Sequence, residues 1–123
     1  MHITLSGKRA LVTGGNSGIG AGIVSALADA GARVAVNYVT HPEAAQDLVR
    51  QVQAGKGEAL AIQADVSDPA AVAGMFQQID RAWGGVDILV NSAGIDGPRA
   101  PAWEADLAAW RKVIEVNLLG AFA

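Results

Sequence analysis

Three short clusters combine glycine with small polar residues in ways suited to holding an anion or a polar ring. The first is Thr13-Gly14-Gly15-Asn16-Ser17-Gly18-Ile19-Gly20. Glycine lacks a β-carbon, so peptide N–H groups in such a run reach a ligand directly, and bare peptide nitrogens are phosphate donors. The second cluster is Asp65-Val66 and the third is Asn91-Ser92-Ala93-Gly94. A further polar residue, Asn117, falls in the interior of a helical pattern, where Asn is disfavoured by competing local hydrogen bonds. The first run is neither GxGxxG nor a Walker A loop, which needs Lys and Ser or Thr after its last glycine. There is no cysteine, which excludes thiolate nucleophiles, disulfides and Cys-based zinc sites. The two histidines, His2 and His41, lack a second His at ligand spacing, so no metal is expected.

These clusters must be placed by the elements around them, and the hydrophobic pattern alternates two kinds. Short apolar runs at Arg9 to Val12, Arg33 to Tyr38, Ala59 to Gln63 and Val86 to Val90 read as strands buried on both faces. Between them Ile19, Ile23, Val24 and Leu27 form one helical stripe, stopped by Gly31. Ala45, Leu48, Val49 and Val52 form a second. Val72, Met75, Phe76, Ile79 and Trp83 form the clearest stripe, with Asp68 as its cap and Pro69 in its first position. A fourth helix is expected from near Ala105 or Asp106, with Leu107, Trp110 and Ile114 inward. This order predicts right-handed crossovers and an α/β fold: a Rossmann-like, doubly wound parallel sheet, incomplete at about four strands and four helices. The first three strands and their helices make one mononucleotide-binding half.

Length and charge narrow the options. At 123 residues, 51% apolar and 17% charged, the chain has enough for one core and no second full domain. A net charge of −3 without any Lys or Arg run argues against nucleic acid as a partner. Ala10 to Ala28 carries no charge and reaches the length of a membrane span. Gly14, Gly15, Gly18, Gly20 and Gly22 interrupt it with a polar loop that lipid could not satisfy. No membrane association is expected, and a cytoplasmic location is.

Position gives the glycine run its meaning. It joins the first strand to the first helix, so the helix amides and the positive end of the helix dipole point at the crevice beyond the strands. Gly14 turns the chain off the strand, Gly18 admits close approach of a pyrophosphate, and Gly20 lets helix pack on strand. A glycine loop alone is also compatible with a plain connecting turn. Asp65 and Asn91 close the third and fourth strands at the same carboxyl edge, where each could equally serve a turn.

Together these residues resemble the classical short-chain dehydrogenase/reductase family over essentially the whole chain. TGGNSGIG (13–20) is similar to its TGxxxGIG cofactor loop, Asp65-Val66 to its adenine-contacting pair, and Asn91-Ser92-Ala93-Gly94 to its NNAG motif with Ser at the second Asn. Val116-Asn117-Leu118 is similar to its VNL segment. The resemblance implies that Gly14, Asn16, Ser17, Gly18, Ile19 and Gly20 hold the pyrophosphate and adjacent ribose. It implies that Asp65 and Val66 meet the adenine, and that Asn91, Ala93 and Gly94 line the nicotinamide ribose. Asn117 would hold a water in a proton relay with a downstream Tyr and Lys. The implied reaction is hydride transfer between NAD(P)(H) and a small-molecule carbonyl or alcohol. Family members commonly form homotetramers.

The family's catalytic Ser, Tyr and Lys have no counterpart here. Tyr38, the single tyrosine, closes the second strand without a Lys four residues on. Residues 1–123 therefore read as the amino-terminal part of a dinucleotide-binding domain that would be inactive alone, or as a non-catalytic dinucleotide-binding or regulatory module. Cofactor choice falls to Asn37-Tyr38-Val39-Thr40 at the end of the second strand. No acid there repels a 2′-phosphate, no Arg or Lys attracts one, and Asn37 and Thr40 are able to donate, so NADP is preferred over NAD. The substrate is not legible. The loop from Asp96 to Trp103 reads as a surface connection.

Overall fold

The computed structural model describes residues 4–94 and 107–116. Its elements run β1 (Arg9–Thr13), α1 (Gly18–Asp29), β2 (Arg33–Tyr38), α2 (Pro42–Ala54), β3 (Ala59–Gln63), α3 (Pro69–Trp83), β4 (Ile88–Asn91) and α4 (Leu107–Ile114). The strands pair in parallel in the order β3-β2-β1-β4. The chain moves outward from β1 to β3, then returns to β1's other side for β4. That reversal makes the carboxyl ends of β1 and β4 the topological switch point, where open α/β sheets hold ligands.

Successive side chains of β1 serve opposite faces, as strand geometry requires. Val12 packs with Val24, Val34, Val36, Leu48, Val49 and Val52 beneath α1 and α2. Leu11 packs with Ala35, Ile62, Ala64, Met75 and Ile79 beneath α3. Both are fully buried, and each such side chain contributes about 1.5–3 kcal/mol by leaving water. The α3 start is as expected: the Asp68 carboxylate accepts from Ala70 N at 3.0 Å ahead of Pro69. Beyond α1, Gly31 takes φ +101°, a conformation suited to glycine.

Four expectations are corrected. The fourth strand starts at Ile88, not Val86, because Asp87 is engaged by Arg9. The Arg9 backbone N and guanidinium all donate to its carboxylate, at 2.9–3.0 Å. Nor is β4 buried on both faces: among the described residues no element covers the face that carries Leu89, which is 51% exposed. Ile19 is 81% exposed: it lines the cleft side of the first turn of α1 rather than the core. Leu107 and Ile114 face solvent, no described element covering that side of α4. The side chain of Trp110, the residues before Leu107, and the loop Asp96 to Trp103 lie outside the described residues.

Candidate functional site

At the switch point the carboxyl ends of β1, β2 and β3 and the first turn of α1 enclose a cleft of about 440 Å³. The chain leaves β1 through Gly14 at φ +61°, where a β-carbon would stand 2.8 Å from the Ala93 Cα. A β-carbon at Gly20 would strike the Gly14 carbonyl. These two glycines thus let the loop, helix and β4 end meet in contact. Gly18, at φ +56°, takes a conformation that suits glycine and has nothing within 4 Å of where its side chain would be. Ser17 caps α1 in an extended conformation without a side-chain cap hydrogen bond. The first-turn amides of α1 have no partners within the helix and the positive dipole end adds to their pull on an anion.

Side chains from distant strands fix this loop. Asn37 is fully buried: its Oδ1 accepts from Gly14 N at 3.2 Å, and its Nδ2 donates to Ala64 O at 3.0 Å and Ile62 O at 3.4 Å. The Asn37 carbonyl also accepts from Gly15 N at 2.9 Å. Asn16 Nδ2 donates to the Thr40 and His41 carbonyls at 2.8 and 3.2 Å, tying the loop to the β2–α2 connection. Across the cleft, Thr13 Oγ1 accepts from Ser92 N and Ala93 N at 3.0 and 3.1 Å and donates to Val90 O at 3.4 Å. One buried hydroxyl thereby sets the Ser92-Ala93-Gly94 segment against the glycine loop.

Asp65 lies on the cleft wall in a tight polar cluster. Its Oδ1 accepts from Ser67 N at 2.9 Å and Ser67 Oγ at 2.6 Å, and its Oδ2 accepts from Lys112 Nζ at 2.8 Å. Lys112 also donates to Ser67 Oγ at 2.9 Å. The Lys112 ammonium, followed by the Ser67 donors, holds the Asp65 carboxyl down to about 2. Lys112 is held above its usual value by Asp65 in turn.

Of the residues singled out in the sequence, Gly14, Asn16, Ser17, Ile19, Gly20, Asn37, Asp65, Val66, Ala93 and Gly94 all line this cleft. Gly18 sits between two of them. Asn91 ends β4 in register with Thr13 and is exposed. Two expectations change. Asn37 is not available to donate to a 2′-phosphate, since its amide donates to the carbonyls of Ile62 in β3 and Ala64 just beyond it. Tyr38 pairs with Gln63 along β2 and β3, and Val39, Thr40 and His41 form the cleft wall instead. Asn117 lies outside the described residues; its neighbour Val116 is buried and lines the cleft. Sequence reasoning gave Thr13 and His41 no role of their own in the site and passed over Lys112. Thr13 carried a signal in its place at the strand end before Gly14, whereas Lys112 carried none, its partners lying 45 and 47 positions away.

A parallel sheet with a glycine-lined cleft at its switch point defines a nucleotide-binding α/β protein. A family model described as short chain dehydrogenase matches residues 8–123, and the chain belongs to that family. It is 39% identical over 123 residues to 3beta-hydroxysteroid dehydrogenase 1 of Eggerthella lenta, covering 100% of this chain and 47% of that protein. Among solved structures, a dehydrogenase/reductase from Sinorhizobium meliloti 1021 superposes with a TM-score of 0.92 at 45% identity, covering 98% of this chain and 48% of the other. A short chain dehydrogenase from Burkholderia cenocepacia J2315, in complex with NADP, gives 0.89 at 44% identity, with 94% and 47% covered. The chain spans about half the length of the curated relatives it matches.

Proposed function

We propose that the cleft binds a nicotinamide dinucleotide, with NADP preferred over NAD, and that the complete gene product moves hydride between it and a carbonyl or alcohol. The observation that carries this reading is the cleft at the carboxyl edge of the sheet, lined by Gly14, Asn16, Ser17 and Gly20 at the start of α1, with the loop held by Asn37 and the facing Ser92-Ala93 segment held by Thr13. Gly14, Asn16, Ser17, Gly18, Ile19 and Gly20 would hold the pyrophosphate and adjacent ribose, Asp65 and Val66 the adenine, and Asn91, Ala93 and Gly94 the nicotinamide ribose. Asn117 would hold a catalytic water. A bound nicotinamide supplies the hydride chemistry, and the residues described here bind and orient it. The NADP preference is supported by the acid-free wall at Val39, Thr40 and His41 and by the NADP complex of the Burkholderia relative. Residues 1–123 carry the dinucleotide-binding residues and no counterpart of the family's catalytic Ser, Tyr and Lys, so these residues alone are expected to turn over no substrate.

Gly18→Leu in the complete gene product is the test. A β-carbon at φ +56° is strained, and a leucine there fills the approach to the first-turn amides. NADPH affinity measured by fluorescence titration is expected to fall by at least about tenfold. Unchanged affinity would refute the assignment. A cytoplasmic homo-oligomer, tetrameric by family, fits the same reading: α4 presents Leu107 and Ile114 to solvent, 67% and 51% exposed. No described helix is long and apolar enough to cross a membrane.

A further inference from the structure

The Asp65 carboxylate has about four lone-pair sites for hydrogen bonds. Ser67 N, Ser67 Oγ and Lys112 Nζ occupy three of them. Lys112 reaches across from α4 and bridges Asp65 and Ser67, so the carboxylate cannot rotate without breaking a charge-assisted contact at 2.8 Å. Among the described residues one acceptor site therefore remains, on Oδ2, on a side chain that lines the cleft and is 33% exposed. That single site fits a donor such as an exocyclic amine and is repelled by a carbonyl oxygen in the same place. We propose that Lys112 is a positioning residue for base recognition: by clamping Asp65 through this bridge, it makes the pocket select an amine-bearing purine ring over a carbonyl-bearing one. The inference rests on the dinucleotide reading above and assigns to α4 a part in choosing the base.

The test compares binding of reduced nicotinamide adenine dinucleotide and its hypoxanthine analogue, which differ in amine against carbonyl at C6 and in the adjacent N1, an acceptor in adenine and an N–H donor in hypoxanthine; the Oδ2 site is read as facing the C6 substituent. The complete gene product is titrated by fluorescence as wild type, Lys112→Met, Lys112→Arg and Ser67→Ala. Wild type is expected to prefer the adenine form by about tenfold. Lys112→Met should bring that ratio within about threefold of unity, Lys112→Arg should restore it, and Ser67→Ala should lower it with the lysine still present. A ratio unmoved in Lys112→Met overturns the inference and leaves the dinucleotide reading standing, as does equal weakening of both ligands, the signature of a general charge or folding effect. If wild type binds neither dinucleotide, both fall together.

Discussion

Thr13 and Asn37 show how two ordinary polar side chains hold a glycine loop in one conformation. Each is buried, and among the described residues every buried side-chain nitrogen or oxygen has a partner. A buried polar group is costly when unpaired, so the energetic weight falls on the backbone amides these side chains satisfy. Thr13→Val keeps the shape and removes the acceptor that Ser92 N and Ala93 N share. It is expected to lower unfolding stability by about 1–3 kcal/mol in urea titration. A loss below about 0.5 kcal/mol would mean that water replaces the hydroxyl. Asn37 corrects an inference drawn from residue type alone: an amide at the end of β2 is a plausible phosphate donor until its neighbours claim both hydrogens.

At the scale of elements, α3 was readable from its residues because its signals are local. Asp68, Pro69 and the stripe through Val72, Met75 and Ile79 act within a few turns of one another, and Gly84 ends the helix at φ +82°. Asp68→Ala removes the acceptor for Ala70 N, and a loss of about 1 kcal/mol is expected by chemical denaturation. For α1 and α4 stripes were also legible, yet Ile19, Leu107 and Ile114 are exposed. A period of 3.6 identifies a helix with an apolar face. It does not say whether a neighbour covers every position of that face.

For the whole molecule, two ion pairs join segments far apart in the chain. Arg9 on β1 binds Asp87 ahead of β4, 78 positions on, at the amino edge of the sheet; Lys112 binds Asp65 at the carboxyl edge. Hydrogen bonds from the Arg9 side chain, then its backbone, bring the Asp87 carboxyl from the ordinary 3.8 down to about 2. A carboxyl with a lowered value in the folded state contributes its stability in full above its unfolded value. The contribution is lost as pH falls from about 4 toward 2. Asp87→Asn should therefore flatten the dependence of the urea midpoint on pH across that window, and an unchanged slope would count against the pairing.

The sequence by itself determined the alternation of strands and helices, the parallel sheet, the glycine loop at the first strand's end and the cap of α3. Periodicity, capping and glycine's backbone freedom act over a few residues and need no knowledge of distant partners. Only the tertiary structure decided that Asn37 belongs to the scaffold, that Thr13 joins the β1 and β4 ends, and that Lys112 restrains Asp65 from 47 positions away. Those outcomes depend on which polar groups the folded sheet brings within 3 Å or so of one another, and chain-distant pairing of that kind leaves no local pattern.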